Sequence, residues 1–151
     1  MKTKLAIVTE TFPKKSEVFI YRGLKELHKQ GIDLTVFSLN RHEGANKYPF
    51  RSVQIPAWYD IREMGNFLSC IWKHRSRFFP LLWRVLIEEK NPLKGLNRLF
   101  RSVHLVSCAL NESETIHFHG EFAGGPAEHA RYAAAITGKK PEFEQFDLSD
   151  R

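Results

Sequence analysis

At 151 residues, with 42% hydrophobic and 13% aromatic side chains, the chain has the apolar material for one ordinary core, which excludes a disordered tail. No run approaches the roughly 18 to 20 apolar residues of a spanning helix, and Met1-Lys2-Thr3-Lys4 leads straight into a strand-like run without a secretory cleavage pattern, so a cytoplasmic protein is expected. The formal net charge of +6 resides in one place: between Asn66 and Leu110, eight basic residues face only Glu88 and Glu89, and the remainder is neutral. Cys70 and Cys108 stand far apart without metal-ligand spacing and read as reduced core thiols.

Leu5 to Thr9 reads as a buried strand. Ser16 is placed to cap the next helix and Glu17 favours its positive end, while Ile20, Leu24 and Leu27 share one face and Gly31 supplies a stop. Leu34 to Leu39 gives a second strand, and Val53 to Ile55, between Pro49 and Pro56, a short third. From Tyr59 to Leu110 the pattern is helical, with Pro80 and Asn91-Pro92 as breaks, which makes about three helices. Thr115 to His119 is a fourth strand, Pro126 opens a helix that Gly138 ends, and Glu142 to Phe146 is a fifth strand.

Strands that alternate with helices imply an α/β, Rossmann-like parallel sheet, flanked by helices, of order 3-2-1-4-5. Ligands of such sheets bind beyond the C-terminal strand ends, at the switch point between strands 1 and 4. Two loops are expected to meet there, Glu10 to Ser16 and Gly120 to Gly125. His117 and His119 fall on one strand face; a satisfied histidine pair is favoured over a metal site shared with Glu121 or His129, because no closed ligand set is visible. Gly124-Gly125-Pro126 begins a helix whose free N–H groups suit an anion or simply allow close packing.

The motifs "FPKKSEVFI", with the following "GIDLTVFSL", and "IHFHGEFAGGPAEHARYAAAITGKKP" resemble two segments of the retaining family 4 glycosyltransferases of GT-B architecture, and the likeness runs from Lys4 to Pro141. Neither phosphate-cradling nor dinucleotide-binding glycine motifs occur, and no cofactor is expected. The resemblance implies the acceptor-side, N-terminal lobe of a sugar transferase acting in polysaccharide or glycolipid synthesis. It places Pro13, Ser16, Glu17, His119, Gly120, Glu121, Gly124 and Gly125 at the acceptor. Where the family has a histidine near the donor sugar this chain has Asp147, and the donor-binding lobe has no counterpart in the sequence. A single incomplete GT-B lobe, inactive alone, is therefore expected, with a separate donor-binding lobe or subunit as partner; the alternative is a non-catalytic membrane-surface module.

At about 100° per residue, Lys94, Arg98 and Arg101 gather on one helical face opposite Leu96, Leu99, Phe100, Val103 and Val106. That reads as a solvated basic face, with an anionic membrane surface as its candidate partner and the aromatics of the segment assigned to packing. No recognition motif supports nucleic-acid binding. Pairing of the fifth strand across a two-fold axis makes a homodimer the expected assembly.

Overall fold

The computed structural model describes residues 4–13, 18–41, 47–110, 116–121 and 124–139. The apolar run after Lys4 forms β1 (Lys4–Phe12), buried without interruption from Ala6 to Thr9 as a strand covered on both faces must be. It is longer than its apolar core suggests, so Glu10 to Phe12 are strand and the loop begins at Pro13. Helix α1 (Val18–Lys29) buries Ile20 and Leu24. It ends where Gly31, at φ 82°, turns the chain so that the Ile32 N–H reaches the Leu27 carbonyl at 3.2 Å. Next come β2 (Asp33–Arg41) and the short β3 (Arg51–Gln54).

A 3-10 turn at Ile61–Glu63 then opens the helical region, α2 (Met64–Lys73), α3 (Arg75–Glu88) and α4 (Pro92–Leu110). Three helices are present, but Pro80 lies inside α3 rather than between helices. The carbonyl it leaves without a donor belongs to the exposed residue Ser76, which water can serve, so the missing bond is tolerated. The break falls at His74, which leaves helical geometry (φ −107°, ψ 18°) while its carbonyl takes the N–H groups of Arg77 and Phe78. The chain closes with β4 (Ile116–Gly120) and α5 (Gly125–Thr137), the latter stopped by Gly138.

All described strand pairs are parallel, in the order β3-β2-β1-β4. The fold is thus α/β and Rossmann-like, with four strands among the described residues; the expected fifth, Glu142 to Phe146, lies outside them, as do Ser16, Glu17 and Asp147. Register sets Ile7 against Val36 and His119, and Val8 against Phe37 and Gly120. Strand alternation then sorts the core. Ile7, Leu34 and Val36 join Ile20 and Leu24 of α1. Ala6, Val8, Phe37, Leu39 and Phe118 pack on the other face, against α4 and α5.

Helix α4 is the pivot of that second face. It contacts α5, α2 and α3, and from Leu99 to Ala109 all but Phe100, Arg101 and Cys108 are buried, the polar Ser102, His104 and Ser107 included. Among the described residues no helix is long and apolar enough to cross a membrane.

Candidate functional site

At the switch point β4 ends beside Val8, with which Gly120 pairs, and β1 runs four residues further to Phe12; β1 passes to α1 on one face while the chain entering β4 has crossed over the other. The Glu121 N–H continues the ladder, donating to the Val8 carbonyl at 2.9 Å. Two glycines bring α5 onto this edge. A Cβ on Gly120 would stand 2.5 Å from Ala127 Cα and 3.0 Å from the Pro126 carbonyl oxygen, so the first turn of α5 rests directly on the strand end. Gly124 precedes the helix at φ 111° and ψ −139°, a conformation that side chains resist, and no side chain caps the N–H groups that follow. With Pro126 contributing no donor, Gly125 and Ala127 carry the first-turn N–H groups, and the Gly124 carbonyl accepts from Glu128 at 3.0 Å.

His119 and Glu121 form the polar part of this edge. His119 Nε2 lies 4.0 Å from Glu121 Oε1, both side chains more than four-fifths buried. His129 belongs to a different environment. Phe118 faces α5, so alternation turns His117 and His119 to the side of the sheet opposite α5, which carries His129. Among the described residues no three His, Cys, Asp or Glu side chains gather around a common point suited to a metal. His129, on α5, is instead buried, with Nδ1 2.7 Å from the Gly125 carbonyl one turn back on the same helix. Only an Nδ1–H can serve that oxygen, which leaves Nε2 unprotonated, buried and, among the described residues, without a hydrogen-bond partner. Burial pushes its pKa down to about 4, the bond to Gly125 opposing and Arg101 and Arg98 assisting.

The expected solvated basic face of α4 is corrected here. Lys94 is exposed, but Arg98 forms an ion pair with Glu128 of α5, and Arg101 reaches under the sheet edge. Its Nη2 donates to the Leu39 carbonyl at 2.5 Å and to the Ile55 carbonyl at 3.4 Å, tying α4 to the ends of β2 and β3. A helical wheel separates polar from apolar faces but does not say which polar side a neighbouring element covers; here α5 and the strand ends do. Arg101→Met is expected to lower the unfolding free energy by about 2 kcal/mol, because two carbonyls lose a charged donor. Lys94→Met should stay within about 0.5 kcal/mol of the parent. Urea unfolding of both variants checks the contrast.

Of the residues assigned to the acceptor, the fold brings His119, Gly120, Glu121, Gly124 and Gly125 to one edge; half-buried Pro13 follows β1, five residues beyond the Val8 that pairs with Gly120. Sequence reading missed the aromatic group that adjoins Pro13. Phe12 packs on Tyr48 (ring centroids 5.0 Å apart) and Phe50 (5.8 Å), and Tyr21 of α1 meets Tyr48 at 4.5 Å. These residues come from three separated segments, so no local spacing announces them. Comparison with protein-family models, with curated proteins and with solved structures finds no match to this chain.

Proposed function

We propose that this chain is the acceptor-side lobe of a glycosyltransferase of the two-lobed GT-B kind, working with a nucleotide-binding lobe carried on further sequence or on a separate subunit. The observation that carries the reading is the adjacency of β1 and β4: the strand that leads into "FPKKSEVFI" and the strand that ends in "HFHG" are far apart in sequence and neighbours in the sheet. A sugar acceptor presents hydroxyl groups and needs donors and acceptors of hydrogen bonds on one wall. In this reading His119 and Glu121 hold the acceptor hydroxyls, Pro13 bounds the site, and the first-turn N–H groups at Gly125 and Ala127 face whichever anionic group the acceptor or donor brings.

The lobe that would grip a nucleotide diphosphate is not among these elements, so the isolated chain is expected to show no micromolar binding of nucleotide sugars in calorimetry. Short oligosaccharides and a water-soluble glycolipid analogue should shift the amide signals of His119, Gly120, Glu121, Gly124 and Gly125 in a nuclear magnetic resonance titration. Tight nucleotide-sugar binding with sugar transfer by the chain alone overturns the reading of a partial lobe. Shifts confined to other surfaces overturn the acceptor assignment.

A further inference from the structure

The aromatic residues of the basic central segment divide into two sets. Phe67 and Phe78 are buried and Phe100 is half-buried among them, whereas Trp72 is 71%, Phe79 57% and Trp83 65% exposed. The assignment of all these rings to packing is therefore wrong. At about 100° per residue, Phe79, Trp83, Leu86 and Ile87 occupy an arc of about 100° on α3, and all four are exposed. Trp72 and Leu68 add an exposed pair one turn apart on α2.

These helices carry an excess of positive charge. From Met64 to Lys94 there are six basic residues and two acids. Glu89 accepts the Tyr132 hydroxyl at 3.0 Å and Glu88 pairs with Arg84 at 3.4 Å. Arg77 is turned toward the Thr137 carbonyl at 3.5 Å. Lys73, Arg75, Lys90 and Lys94 are all exposed, and the Arg75 guanidinium lies 4.9 Å from the centre of the Trp72 ring.

We propose that the outer face of α2 and α3 docks on an anionic phospholipid surface, with Trp72, Phe79 and Trp83 at the boundary between headgroups and acyl chains and the exposed cations on the lipid phosphates. Indole rings on an amphipathic helix suit that boundary, and lysine stems reach from it to the headgroups. Charge complementarity selects this occupant. A second copy on the same face would set one cationic surface against another. A protein interface core is depleted in lysine. A nucleic-acid strand would stack on the rings but leave Leu86 and Ile87 without a role, whereas acyl chains bury them.

The test is co-sedimentation of the chain with vesicles of phosphatidylcholine alone and of an equal mixture with phosphatidylglycerol. Binding is expected only to the mixture and should fall steeply with added salt. Lys73→Gln, Arg75→Gln and Lys90→Gln should each weaken it about fivefold, and the triple variant about a hundredfold. The double variant Phe79→Ala with Trp83→Ala alters only exposed rings, so circular dichroism should be unchanged while binding drops at least tenfold. In a Trp58→Phe background, brominated lipid should quench the emission of Trp72 and Trp83.

Equal recovery with both vesicle types, or none with either, overturns the proposal. So does mixed-vesicle binding that the aromatic double variant leaves intact. A dimer in sedimentation velocity that this variant dissolves identifies a second copy as the occupant instead, and capture of a single-stranded oligonucleotide in place of vesicles identifies nucleic acid.

Discussion

Gly120→Ala is expected to cost about 3 kcal/mol in unfolding free energy, the upper part of the range for overpacking a site that cannot relax. The added Cβ would meet Ala127 Cα at 2.5 Å, Ala127 N at 2.9 Å and the Pro126 carbonyl oxygen at 3.0 Å. All three atoms are backbone, so no rotamer change relieves the contact and α5 must move away from β4 as a body. Ala130 and Ala134, on the same helix face as Ala127, are buried against the core, and the displacement opens a gap there. Gly23→Ala is the control. Gly23 lies in the interior of α1 with nothing within 4 Å of its Cβ position, and alanine there should gain about 0.8 kcal/mol from helix propensity alone. Urea unfolding should move the two midpoints in opposite directions; equal small shifts would show that α5 is not seated on the strand. In Gly120→Ala the Gly125 and Ala127 N–H groups are displaced with the first turn of α5, so any ligand response at Glu121 and Gly125 should weaken with stability.

Acid should destabilise the fold through His129. Its folded pKa of about 4 lies below the ordinary 6.5, so between those values the unfolded chain binds a proton that the folded chain refuses. Stability is therefore full above about pH 6.5, falls as pH drops through the window, and levels off below about pH 4. The loss amounts to about 3 kcal/mol. His104 and His74 are also lowered, chiefly by burial, and act in the same direction. His129→Leu is expected to lose about 1 kcal/mol at neutral pH with the bond to Gly125, and to unfold with a visibly shallower pH dependence. Unfolding free energies measured from neutral pH down to about pH 4 decide it: an unchanged slope would mean that His129 takes up its proton in the folded state.

The elements themselves were legible wherever a local pattern suffices. Apolar runs gave the four described strands, the Gly31 and Gly138 stops ended α1 and α5 where expected, and strand–helix alternation implied the parallel order that β3, β2, β1 and β4 adopt. Pro80 misled because a missing N–H breaks a helix only if the orphaned carbonyl is denied water, and exposure at Ser76 is not written in the local sequence. At the candidate site, the pairing of β1 with β4 followed from topology, but the reason for Gly120 did not. Its need arises from helix backbone lying within contact distance of the strand.

What the sequence by itself determined is therefore the four described strands, their parallel order and the pairing of β1 with β4, because these depend on periodicity and chain connection. What only the tertiary structure decided is which side chains are covered. Arg101 is drawn in by the carbonyls of Leu39 and Ile55, Arg98 by Glu128, and His129 is buried on the Gly125 carbonyl, while Trp72, Phe79 and Trp83 are left in solvent. The physical reason is that burial is a property of neighbours: α4 is enclosed by α5, α2 and α3, so its basic side is spent inside the fold, and the outward faces of α2 and α3 inherit the charge and the rings that remain.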